Sequence, residues 1–216
     1  MEIEAALGPP DTVKAIIVSH ERSGTHFLMN TLALNFGYIS SPWINLDLDH
    51  PINYYAPENI MDFLGFMRGK PIVNVIKTHH QVGFFMPILE KILDDFHVFY
   101  IYRPVRAVMA SFCKHLHNHA WDTGPKVHDG LELAAIAPSG AMLRYQKVQY
   151  PTILDRWKAH VKGWLTLPEK TRERIIYIRF QDLNLDFKNT VRRIGQRIGK
   201  ECHNPIRPRK DNKVVT

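Results

Sequence analysis

Lys14-Ala15-Ile16-Ile17-Val18-Ser19-His20-Glu21-Arg22-Ser23-Gly24-Thr25-His26-Phe27-Leu28, continuing as a helical pattern to Phe36, decides how this chain folds. The run Lys14–His20 is apolar and rich in β-branched residues, as a strand covered on both faces is. Thr25–Phe36 then puts Leu28, Leu32 and Phe36 on one stripe, the period of an amphipathic helix. A strand entering a helix through a short turn containing Ser23 and Gly24 is the opening of an α/β fold. The free N–H groups at such a helix start, with their positive dipole end, are suited to an anion. Taken alone the turn is a weak motif, because an Arg-Ser-Gly turn before a helix fits any α/β protein.

The same alternation runs outward from it. Ile72–Lys77, Phe96–Tyr102 and Arg174–Arg179 read as three more buried strands. Val105–Leu116, Tyr150–Trp164 and Phe187–Ile198 read as helices. Alternating strands and helices predict a three-layer α/β fold, P-loop-like, with a central and mainly parallel sheet flanked by helices. Two segments, 37–57 and 117–140, carry Pro, Gly, Asp and Asn and read as long loops, of the length that often forms a lid or a binding pocket. Trp43, Tyr54, Tyr55, Phe84, Phe85 and Trp121 give that pocket an aromatic character.

Composition sets the limits. With 216 residues, 45% hydrophobic and 23% charged, the chain suits one ordered domain over 1–216. Cys113 and Cys202 form neither a metal spacing nor a disulfide framework, so a reducing, cytoplasmic setting is expected. No run is long enough to span a membrane, and the N-terminus has no signal-peptide pattern. The segment 187–216 holds nine Lys/Arg against two acids, which is the entire net charge of +7. Such a tail fits an anionic ligand, a nucleic acid or simple solvation.

The strand ends carry the chemistry. Ligands of open α/β sheets bind beyond the carboxyl ends of the strands. There the chain has Arg22 and His26, then Lys77, His79 and His80, then Arg103. No Walker G-x-x-x-x-G-K-[ST] is present. Arg103 stands where a nucleotide triphosphatase would often hold magnesium with an Asp. That pattern points to a phosphate-rich ligand bound without metal. His115, His117 and His119 have no carboxylate or cysteine at metal spacing.

These stretches resemble the sulfotransferases that use 3′-phosphoadenosine-5′-phosphosulfate (PAPS). Ser19–Leu28 resembles their 5′-phosphosulfate loop, with Arg22 where lysine is usual. Val75-Ile76-Lys77-Thr78-His79 resembles their K-T-H segment. Tyr100–Ser111 resembles their 3′-phosphate motif, with Arg103 and Ser111 eight apart. Ile176–Leu183 resembles their strand-then-Y-E-D-L segment, with Phe180 in place of tyrosine. Their C-terminal R-K-G-x-x-G-D-W is only hinted at by Arg209-Lys210, so a short or truncated cofactor segment is expected there.

The resemblance implies sulfuryl transfer to a hydroxyl or amine of a small-molecule or carbohydrate acceptor. Neither metal, nucleic acid nor an integral membrane segment enters that reading. His79 would be the general base, with His80 as its competitor. Arg22 would meet the sulfuryl group and Lys77 would help neutralise it. Ser23, Gly24, Thr25 and His26 would hold the 5′-phosphate, Arg103 and Ser111 the 3′-phosphate, and Phe27 the adenine. Phe180, Arg209 and Lys210 would complete the cofactor site. Three other readings stay open: a small-molecule kinase, a nucleic-acid binder, and a PAPS-binding domain without catalysis.

Overall fold

The computed structural model describes residues 13–46, 54–71, 74–118 and 124–209. Five strands, β1 (Lys14–Val18), β2 (Ile39–Asn45), β3 (Asn74–Thr78), β4 (Phe96–Tyr102) and β5 (Ile176–Arg179), form one sheet in the order β2-β3-β1-β4-β5. All four pairings are parallel. Parallel neighbours need crossovers, which helices supply here: α1 (Thr25–Phe36), α2 (Pro57–Arg68), α3 (Leu89–Asp95), α4 (Val105–Asn118), α5 (Gly130–Ala135), α6 (Ile153–Leu165) and α7 (Glu169–Arg172). Two more helices, α8 (Phe180–Leu185) and α9 (Phe187–Arg197), follow the last strand.

The central strand β1 is buried along its whole length, and its side chains alternate between two cores. Ala15 and Ile17 pack with Leu28 and Leu32 of α1 and Val191 and Ile194 of α9. Ile16 and Val18 pack with Ile60 and Leu64 of α2, Ile92 of α3 and Trp164 of α6. Helices therefore cover both faces, which explains why β1 reads as a continuous apolar run rather than an alternating one. A third cluster joins Phe112 and Leu116 of α4 to Leu133 of α5 and Ile153 of α6.

Two expectations need correction. The stretch 37–57 is not one long loop: it contains β2, and α2 starts at Pro57. Its sequence, ISSPWIN, has no strand pattern because β2 is an edge strand. Its pairing to β3 shifts between Ile39 and Ile44, and an edge tolerates the Pro42 that a central strand could not. The stretch 117–140 likewise contains α5, whose N-cap Asp129 accepts from the amides of Leu131 and Glu132. Trp121 lies outside the described residues, as do Ile72 and Val73 at the start of the expected second strand.

Candidate active site

Because β1, β3 and β4 are adjacent and parallel, the segments following them emerge side by side at one edge of the sheet. The loop after β1 is set by backbone geometry. Gly24 has φ 103 and is the N-cap of α1, where a Cβ would stand 2.3 Å from the Phe180 ring. Only glycine fits that conformation and that approach. Arg22 also has positive φ, 63°, the only such non-glycine residue among those described. A left-handed non-glycine backbone costs about 1–3 kcal/mol and persists where its surroundings enforce it.

On one side, the Arg22 Nε donates to the Ser111 hydroxyl of α4 at 3.2 Å, and NH1 lies 3.4 Å from Nδ1 of His115. On the other, Glu21 is gripped by Arg156 of α6. NH1 donates to Oε2 at 3.0 Å and NH2 to Oε1 at 2.7 Å. Arg156 NH1 also donates to His20 Nε2 at 2.8 Å. His20 Nδ1–H in turn donates to the Glu21 carbonyl at 3.0 Å, so His20 is the neutral Nδ1–H tautomer. Burial alone would raise the Glu21 carboxyl, but Arg156 and His20 outweigh it and hold the pKa well below the usual carboxylate range. Burial, against the pull of Glu21, drops the His20 imidazole to about 4.

The base candidates separate clearly in their surroundings. His79 is half-buried, with Nδ1–H donated to the Ser19 carbonyl at 2.9 Å and the ring edge-on to Tyr145. That bond places the ring's proton-accepting lone pair on Nε2. His80 is only 1% exposed, stacks on Tyr54 at 3.9 Å, and shares a 2.8 Å hydrogen bond between Nδ1 and the Thr78 hydroxyl. Lys77 lies over the Trp43 ring at 4.1 Å and reaches His26 Nε2 at 3.5 Å. Burial first, and Lys77 second, push His26 down to about 3.

The remaining sequence-predicted residues surround this cluster. Arg103 stacks over Phe180 at 4.6 Å, and its NH1 is 3.5 Å from the Arg22 carbonyl. Ser111 is reached from Arg22, so the residues expected at the two ends of the ligand form one contiguous site. The Thr25 hydroxyl pairs with that of Ser19 at 2.7 Å. Ser23 is fully buried, and its hydroxyl has no hydrogen-bond partner. Buried hydroxyls are rarely left so, and this one sits in the loop at the start of α1. Phe27 packs against Phe180 and Phe187. Arg209 is exposed, and Lys210 lies outside the described residues.

Phe84 and Phe85 are core residues at 1% and 3% exposure, which removes them from the expected acceptor pocket. Sequence reasoning missed Arg156 and Glu21, and also Arg207, which lies over the Phe27 ring at 5.3 Å. A signal for Arg156 was present. It falls with Ile153, His160 and Trp164 on the helical stripe that faces inward.

The model of the sulfotransferase domain matches residues 12–210. The chain belongs to the sulfotransferase family. Among solved structures, mouse sulfotransferase SULT7A1 complexed with PAP superposes with TM-score 0.56 at 18% identity, covering 89% of this chain and 60% of that one. Retinol dehydratase in complex with androsterone and inactive cofactor PAP gives 0.51 at 18%, covering 87% and 60%. A sulfotransferase from Alicyclobacillus acidocaldarius gives 0.54 at 16%, covering 92% and 86%. At these identities the likeness is one of fold, and this sulfotransferase chain spans about 60% of the length of the first two. No curated protein matches it. None of its helices, among the described residues, is long and apolar enough to cross a membrane.

The buried histidines give the family member a pH-dependent stability. His20, and His160 of α6, are held below the ordinary 6.5 chiefly by burial, so the unfolded chain takes up their protons first. Their stabilisation is fully present above about pH 6.5 and is lost as pH falls below it, for His20 as pH approaches 4. For His20 alone the shift amounts to on the order of 3 kcal/mol. Glu21, lowered from 4.5, adds a further loss at the acidic end. The urea midpoint is therefore expected to be lower at pH 5 than at pH 7.5, and an unchanged midpoint would contradict the neutral tautomers.

Proposed function

We propose that this chain, read as a single domain, transfers a sulfuryl group from PAPS to a hydroxyl or amine of a small-molecule or carbohydrate acceptor. The observation that carries this is the convergence of Arg22, His26, Lys77 and His79 around the Ser23–Gly24 turn, with the Ser23 hydroxyl buried and unpartnered. The residues fit a phosphosulfate. Several cationic or imidazole groups face one loop, and the carboxylate next to Arg22 in the chain, Glu21, is neutralised by Arg156. The PAP named with two of the solved structures supports the nucleotide half of the reading, and the androsterone of one supports a small-molecule acceptor.

When bound, PAPS supplies a sulfur whose bond to the 5′-phosphate oxygen breaks as the acceptor oxygen bonds to it. His79 takes the acceptor proton on Nε2, the position left basic by the Ser19 carbonyl. Arg22 stabilises charge developing on the leaving oxygen, and Lys77 neutralises the sulfonate. Ser23 and Thr25, with the uncapped amides of the α1 start, hold the 5′-phosphate. Arg103 and Ser111 hold the 3′-phosphate, and Phe27 and Phe180 form the apolar wall for adenine.

Calorimetric titration tests the nucleotide assignment. Adenosine 3′,5′-bisphosphate is expected to bind about thirtyfold more tightly than 5′-AMP, since a charge-assisted pair contributes about 2 kcal/mol. Equal affinities would remove Arg103 and Ser111 from the 3′-phosphate.

A further inference from the structure

Three inward residues of α6, spaced four apart, all end on the loops of the candidate site. Arg156 and His160 are 0% exposed and Trp164 is 1%. Arg156 holds Glu21 with both carboxylate oxygens, touches His20, and donates to the Met142 carbonyl at 3.2 Å. His160 Nε2–H donates to the backbone carbonyl of His79 at 3.1 Å, its Nδ1 accepting from the Tyr100 hydroxyl at 3.0 Å. Trp164 Nε1 donates to the carbonyl of His80 at 3.3 Å. Burying a guanidinium and an imidazole is costly, and packing on the sheet would be served by leucine. One rigid helix thus fixes the loop after β1 and the loop after β3 in a common frame.

We propose that Arg156 is a positioning residue for the sulfuryl transfer, setting the backbone from which Arg22 reaches the leaving oxygen. The inference rests on the proposed function. Arg22 directly follows Glu21, and its left-handed backbone needs restraint on both sides. Ser111 restrains the side chain, and Arg156, through Glu21, restrains the peptide before it. The guanidinium fork is what matters. A lysine keeps the charge but makes no bidentate contact with a carboxylate and cannot reach Glu21, His20 and Met142 together. A shift of the Arg22 peptide by a fraction of an ångström would leave nucleotide binding largely intact. It would cost rate, because Arg22 acts on charge that exists only during transfer.

A double-mutant cycle on the full chain tests this, reading single-turnover loss of labelled PAPS to the best acceptor of an alcohol and phenol panel. Arg156→Lys is expected to lower the rate at least about tenfold, with the Kd of adenosine 3′,5′-bisphosphate within about threefold of wild type. In an Arg22→Ala background the same substitution should change the rate by less than about twofold, because the group it positions is gone. Glu21→Gln, an isosteric change, should repeat both results and serves if the lysine variant folds poorly. Losses that multiply with Arg22→Ala, an unchanged rate in Arg156→Lys, or failure of both variants to fold would each overturn the positioning role. A wild-type chain that binds the bisphosphate and turns over PAPS while the variants disobey the cycle overturns the inference alone. A wild type that does neither overturns the function proposed above, and the inference with it.

Discussion

Replacing His79 with alanine is expected to lower the rate of transfer to an alcohol by roughly 10²–10⁴-fold, with the affinity for adenosine 3′,5′-bisphosphate nearly unchanged. The asymmetry follows from position. His79 directly follows β3, on the same sheet edge as Arg22, and its Nδ1–H is committed to the Ser19 carbonyl. Nε2 is therefore the nitrogen left to accept a proton in the proposed mechanism, and no phosphate contact is assigned to His79. His80→Ala is a different experiment. His80 is buried under Tyr54 and tied to Thr78, so its loss should appear mainly in stability. A His79→Ala variant that transfers at the wild-type rate would place the base elsewhere.

Arg156→Ala is expected to lower unfolding stability by about 3–5 kcal/mol in urea titration at pH 7.5. The substitution leaves Glu21 as a buried carboxylate without its counter-charge, beside a His20 that has lost its donor. Such uncompensated charges are far more damaging than the absence of the whole pair. The combined Glu21→Gln, Arg156→Met variant should consequently recover most of the loss, since no unpaired charge remains. A single variant as stable as wild type would mean that the pair is not formed in solution.

Much of this architecture was legible because burial dictates composition. β1 and β4 are covered on both faces and could be read as apolar runs, the edge strand β5 kept a short Ile-Tyr-Ile run, and α1 was legible to the residue from Thr25 to Phe36. β2 was not, because an edge strand with a shifted register needs neither alternation nor continuous hydrophobicity. The proposed site divides in the same way. Lys77 lies at the end of β3, and Arg22, His79 and Arg103 come within four residues after a strand, so the rule that ligands gather at strand ends finds them. Glu21 and Arg156 are 135 residues apart, and no local pattern announces that a buried Arg on α6 completes a loop after β1. Between His79 and His80 only the register of the family resemblance favoured His79; which ring Tyr54 covers and which carbonyl lies opposite a ring nitrogen are products of tertiary packing.

The measurement that bears most directly on the account is incubation of the wild-type chain with PAPS labelled in the sulfuryl group. The acceptor panel of alcohols, phenols, amines and sugars is present, and EDTA is added throughout. The account predicts label on an acceptor, stoichiometric release of adenosine 3′,5′-bisphosphate, and no dependence on a divalent cation. Intact PAPS across the whole panel, together with magnesium-dependent phosphoryl transfer from ATP to any of the same acceptors, would contradict it.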